Sequence, residues 1–219
     1  MSVLHKEHCQ SRRPLRHFLG ILGICSLSLV PFSIWIGVAS AADNLVLFAP
    51  GSVSEEPLWS FTFFQGASAG EESILIDLLR NPWSGDYGQG WFTGAAASRK
   101  IARFYQHFTV EGEVGLGARF GNNEGLEGWG AFYVRFDGFP WNNILRTSVG
   151  ASTGLDYLAN PEFEENVLHY FGPEIALALP SHPNTELVFR YHHRSGVFGV
   201  FGSVREGSNV LSLGVRIRH

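Results

Sequence analysis

From about residue 58 the chain breaks into segments of about ten residues in which apolar and polar side chains alternate, separated by clusters of Gly, Pro, Asn and Asp. Over residues 108–120 the even positions Phe108, Val110, Val114, Leu116, Ala118 and Phe120 are apolar, while Glu111, Glu113 and Arg119 fall on the other face. Over 128–137, Phe132, Val134 and Phe136 oppose Arg135 and Asp137; over 145–155, Leu145, Val149, Ala151 and Leu155 oppose Arg146, Ser148 and Ser152. Before Pro180, Phe171, Ile175, Leu177 and Leu179 oppose Glu174. The last two segments alternate most clearly. Thr185, Leu187, Phe189 and Tyr191 share one face against Glu186, Arg190, His192 and Arg194, and Leu211, Leu213, Val215 and Ile217 oppose Ser212, Arg216 and Arg218.

Period-two alternation over segments of this length predicts antiparallel strands with one greasy and one polar face. Three further segments, near 58–65, 73–79 and 91–103, bring the candidates to nine; 73–79 fits a short helix equally well, because Ile74, Leu75, Leu78 and Leu79 also repeat at helical spacing. A soluble sandwich or lipocalin-like barrel shows the same alternation with its apolar face turned inward. Two features favour the inverse arrangement, a transmembrane β-barrel with a polar lumen. The polar face mixes carboxylates and arginines with glycine and serine, as suits a narrow lumen where charges pair, and the alternation runs to the C-terminus. Barrels of this kind have even strand counts, so eight antiparallel strands are expected. Trp129, Tyr133, Trp141, Tyr157, Phe163 and Tyr170 lie near the proposed strand ends, where an interfacial aromatic girdle belongs.

The first 41 residues read differently. Lys6, Arg12, Arg13 and Arg16 precede an uncharged run over 18–42, and Ala39-Ser40-Ala41 offers the small residues that a signal peptidase accepts. This predicts a signal peptide over 1–41 and a barrel over 42–219; an uncleaved anchor is the alternative, since the run is long enough to span a bilayer. Cys9 and Cys25 both fall in the removable part, which excludes disulfide, thiolate and cysteine–metal chemistry from the remainder. Charged residues make up only 16% of the chain, and Lys100 is the sole lysine after residue 41, so no nucleic-acid partner is expected.

Chemistry concentrates at Tyr191-His192-His193-Arg194-Ser195-Gly196. By parity His193 and Ser195 continue the outward row of Leu187, Phe189 and Tyr191, whereas His192 and Arg194 join the lumen. With both termini in the periplasm, the hairpin over 196–207 opens outward, which puts this base and hydroxyl at the outer rim, level with the ester-linked acyl chains of lipopolysaccharide. The bland alternative is an interfacial histidine and a serine that ends a strand. The segment resembles the lipid A 3-O-deacylase family of eight-stranded outer-membrane esterases, whose penultimate strand carries a His-x-Ser pair completed by a glutamate in the following segment. The resemblance implies that Ser195 is the nucleophile, His193 its base and Glu206 the residue that orients the imidazole. Gly196 follows the serine where the family has asparagine, and the chain ends in His219 rather than phenylalanine. Asn209, on the outward face of the last strand, is the alternative orienting residue, as the amide is in Cys-His-Asn sites.

The remaining polar positions, Glu111, Glu113, Arg119, Arg135, Asp137, Glu174, Glu186, Arg190, Arg194, Arg216 and Arg218, are expected to form lumen ion pairs. No cofactor and no metal site is expected; His192 and His193 point to opposite faces. Two functions follow as expectations: an outer-membrane esterase acting on the lipid A part of lipopolysaccharide, or a non-catalytic small barrel with a structural or interaction role.

Overall fold

A computed structural model of the protein describes residues 44–51, 54–69, 80–81, 85–88, 90–121, 124–159, 165–197, 200–201 and 207–219. The expected signal peptide, the segment 73–79, Phe163 and Glu206 lie outside the described residues. Ten strands follow in chain order: β1 (Leu45–Leu47), β2 (Trp59–Ala69), β3 (Gly90–Phe104), β4 (Phe108–Gly121), β5 (Gly125–Phe136), β6 (Arg146–Leu158), β7 (Val167–Phe171), β8 (Glu174–Ala178), β9 (Thr185–Ser195) and β10 (Gly207–Arg218). Each pairs antiparallel with its neighbours from β2 round to β10, and β10 pairs back onto β2 over ten residue pairs from Asn209↔Ala69 to Arg218↔Ser60. The sheet is therefore a closed barrel without free edges.

Ten strands make eight staves. β7 and β8 share one stave, both lying between β6 and β9. They are separated at Gly172-Pro173, where the proline has no N–H to give to the ladder while its carbonyl still accepts from the Tyr191 amide at 3.0 Å. Tyr170 and Glu174 both remain buried on the inner side, so the break bends the stave without reversing its faces. β1 pairs with Ala102–Phe104 beyond the point where β2 leaves β3, and no strand was expected there. The end of the barrel is tied where its first and last strands meet, by reciprocal Trp59–His219 backbone bonds of 3.0 and 2.9 Å.

The polarity of the wall is the inverse of a soluble barrel. On β4, Val114 and Leu116 are 65% and 74% exposed, whereas Glu111, Glu113 and Arg119 are at most 3% exposed. Phe63, Trp91, Leu126 and Phe132 cover other staves in the same outward sense, and Arg190, Arg194 and Arg216 are fully buried inside. An apolar outer wall around a charged interior is stable where the surrounding solvent is hydrocarbon.

Three expected girdle residues are corrected. Trp129, Tyr133 and Tyr170 are fully or almost fully buried in the lumen, because their parity on β5 and β7 is that of Arg135 and Glu174, and they fill the barrel at mid-height with Phe64 and Phe92. Trp141 and Tyr157 do face outward. At the end where β2 begins and β10 ends, the belt is a run of touching rings instead: Phe104, Phe108, Phe136, Phe139 and Trp141, with successive centroids 4.9–5.3 Å apart. Asp137 is also corrected in its partner: it lies in the turn after β5 at the mouth of the lumen and bonds His107 at 3.1 Å rather than a lumen arginine.

Placing a cation on the mid-height outer wall tests this polarity. Val114→Arg is expected to destabilise the barrel by about 2–4 kcal/mol in lipid vesicles, measured by urea titration. A tolerated arginine would mean that this wall faces water.

Candidate functional site

The register places the motif of β9 at the barrel end away from the termini. His193 lies between Phe171 of β7 and Asn209 of β10; Ser195 lies between His169 of β7 and Gly207 of β10. His193 Nδ1 is 2.8 Å from Asn209 Oδ1. With the amide oxygen accepting from Nδ1–H, the ring keeps its lone pair on Nε2, the tautomer that a base acting on a hydroxyl requires. Asn209 is nearly buried and His193 half-buried, so the imidazole is held rather than free to sweep.

Gly207 shapes the ground between these groups. A methyl built on it would lie 2.3 Å from the Arg194 carbonyl oxygen, 3.1 Å from His193 Cε1 and 3.3 Å from Ser195 Cβ. The histidine ring and the serine thus converge on the space that the missing side chain leaves open. No hydrogen bond joins the Ser195 hydroxyl to His193. Just past the serine, Val197 has φ +46°, a left-handed conformation that costs a β-branched residue about 1–3 kcal/mol. This turn brings Phe201 back, its amide donating to the Gly196 carbonyl at 3.0 Å and its ring centroid 6.2 Å from that of His169. His169 Nε2 is in turn 2.8 Å from Thr153 Oγ1. One stave position lower, Tyr191 is covered from outside by Tyr87, with the two hydroxyls 2.9 Å apart.

Sequence reasoning missed His169 and Thr153, because the placing of His169 across from Ser195 and of Thr153 beside His169 depends on the β7–β9 and β6–β7 registers and not on any spacing along the chain. It also missed Glu127 and Asp156 in the lumen. His192 Nε2 lies 2.7 Å from Glu127 and 3.0 Å from Asp156, and the three could in principle meet on one cation. Arg119 already holds Glu127 at 2.5 and 2.9 Å, and Arg194 holds Asp156 at 2.5 Å, so both carboxylates have guanidinium partners that compensate their charge.

The rest of the lumen is one connected ion-pair network. Glu113 accepts from Arg190 at 2.7 and 2.9 Å, from Trp129 Nε1 at 2.8 Å and from Ser98 at 3.0 Å. Glu174 accepts from Arg190, from Arg216 at 2.6 Å and from Arg135. Arg135 and Arg218 share Glu111, and Arg218 and Arg216 share Glu186. Four arginines thus meet four carboxylates in this network, and Arg119 and Arg194 meet Glu127 and Asp156 beside it, which leaves the arginines of the lumen charge-matched among the described residues. Toward the termini the lumen opens into a cavity of about 310 Å³. Its Lys100 and Arg218 are already bonded to Glu56 and Glu186. With Trp129, Tyr133 and Tyr170 filling the middle, this lumen is packed as a core rather than open as a channel.

No protein-family model and no curated protein matches the sequence. Among solved structures, the crystal structure of Neisserial surface protein A is similar to this chain at 14% identity, with a TM-score of 0.48, over 74% of this chain and 97% of that one.

Two measurements check this geometry. Glu174→Ala, which leaves three arginines short of an acceptor, is expected to cost about 3–5 kcal/mol of stability, read from the unfolding midpoint. Nitrogen NMR of neutral His193 is expected to show protonation at Nδ1, and Asn209→Leu to abolish that preference; a wild-type ring protonated at Nε2 would contradict the Asn209 bond.

Proposed function

We propose that this chain is a bacterial outer-membrane protein, exported by its first 41 residues, and that the rim of its barrel hydrolyses an ester-linked acyl chain of the lipid A part of lipopolysaccharide. The observation that carries this reading is the 2.8 Å bond from Asn209 to His193, which orients an imidazole that shares the outward face of β9 with Ser195 two residues on. A polar pair on that side is costly unless it sits at an interface or acts on something there. Ester bonds of an outer-leaflet lipid lie at that height, so the lipid need not leave the membrane to reach the hydroxyl.

In this reading the Ser195 Oγ–H proton passes to His193 Nε2 as Oγ attacks the ester carbonyl, and side-chain rotation in the bound complex closes the pair. His193 then protonates the departing sugar oxygen, and water releases the acyl group by the same steps in reverse. Asn209 holds the ring; the resemblance would give that task to Glu206. Neither a metal nor a cofactor is required.

The open Ser195–His193 pair favours a second reading, a non-catalytic barrel in which His193 and Asn209 simply satisfy each other at the interface. Mass spectrometry of lipid A incubated with the refolded barrel separates the two. The esterase loses one acyl chain from lipid A with wild type and none with Ser195→Ala. Unchanged lipid A with wild type, or equal cleavage by Ser195→Ala, removes the proposal.

A further inference from the structure

A serine esterase also needs a donor for the negative charge that develops on the carbonyl oxygen, and Gly196 offers no side chain for it. The register brings another residue to that place. We propose that His169 is the oxyanion donor of the rim site, a role that rests on the esterase reading above.

Ser195 has two cross-strand neighbours on its outward face. On the β10 side stands Gly207, without a side chain; on the β7 side stands His169. Directly opposed residues on one face of an antiparallel pair have their Cβ atoms about 4.5–5.5 Å apart, which puts His169 within side-chain reach of an oxyanion formed at Ser195. Outward parity holds for both, since the flanking Leu168 and Tyr170 are buried on the inner side.

His169 is fixed in a way that suits donation rather than proton removal. Thr153 lies diagonally across β6 and its Oγ1 is 2.8 Å from His169 Nε2. When the threonine hydroxyl donates to Nε2, the neutral ring carries its proton on Nδ1, and that N–H is the available donor. The Phe201 ring, returned over the rim by the strained turn at Val197, has its centroid 6.2 Å from that of the imidazole and adds an apolar surface on that side. A hydrogen bond to a developing charge is worth most where water is excluded.

The division of labour follows from the two outward histidines. His193, oriented by Asn209, takes the proton from Ser195 Oγ as the Oγ–carbonyl bond forms. The carbonyl π pair moves onto oxygen, where His169 Nδ1–H holds it. Collapse of this adduct returns the pair, breaks the bond to the sugar oxygen, and passes the His193 proton to that leaving oxygen. His169 keeps its proton throughout.

The test uses the refolded barrel in detergent micelles with p-nitrophenyl decanoate and with purified lipid A. His169→Ala is expected to lower kcat by about 10²–10³-fold with KM changed less than about threefold. His169→Gln, which restores an N–H donor but not a base, is expected to recover at least tenfold of that loss. Thr153→Val, which removes the hydroxyl at nearly constant shape, is expected to lower kcat more mildly and serves if His169→Ala does not fold, as judged by gel mobility of the unheated barrel. Ser195-dependent hydrolysis that is unchanged in His169→Ala, or unchanged in Thr153→Val where His169→Ala does not fold, overturns this inference and leaves the esterase reading standing. A His169→Gln variant as inactive as His169→Ala also overturns it. Absence of Ser195-dependent hydrolysis in wild type overturns both.

Discussion

The lumen of this barrel can hold six arginines only because each finds a carboxylate within hydrogen-bond reach, and Glu174 is where that pairing is most concentrated. It accepts from Arg135, Arg190 and Arg216, which come from β5, β9 and β10, and it reaches them because the Gly172-Pro173 break leaves β8 in register with β9. A guanidinium sealed from water is costly by several kcal/mol when unpaired, so the relative heights of these strands are set by charge matching as well as by backbone bonds. Arg190 extends the network to Glu113 on β4, across the lumen, with its guanidinium over the Phe64 and Tyr133 rings. Opposite walls are thereby joined without a conventional hydrophobic core.

That arrangement releases the outer wall for lipid. A soluble protein of this size spends its large apolar residues on its interior; here Phe63, Trp91, Leu116 and Leu126 are turned outward, and the interior is stabilised by paired charge and aromatic fill. Polar groups on the outer wall then stand out against an apolar background. At the loop end, His193, Ser195, His169, Thr153 and Asn209 form such a group on four adjacent staves, with Gly207 leaving room among them. The same end carries Val197 in a left-handed conformation and Phe201 folded back toward His169, so local backbone strain and the polar cluster coincide.

Most of the architecture was legible because strand periodicity is a local property. The inward set Glu111, Glu113, Arg119, Arg135, Glu174, Glu186, Arg190, Arg194, Arg216 and Arg218 follows from parity alone, and so does the outward placement of His193 and Ser195. Trp129, Tyr133 and Tyr170 have the same inward parity, but nearness to strand ends pointed to a girdle instead, and parity is what the fold follows. The division of one stave into β7 and β8, and the short β1 beside the end of β3, were not legible, since each depends on where a partner strand runs out.

The sequence by itself therefore determined which face each side chain takes, because a pleat alternates every residue whatever lies beside it. It also favoured an inverted wall, since arginines and carboxylates mixed with glycine and serine on one face suit a narrow lumen, and the burial of that face in the fold bears this out. Tertiary structure decided who meets whom. Which carboxylate each arginine finds, that Asn209 rather than another residue holds His193, and that His169 stands across from Ser195 all depend on register between strands distant in sequence. Register is fixed by the sum of many cross-strand contacts and by closure of the ring, and no single segment carries that sum.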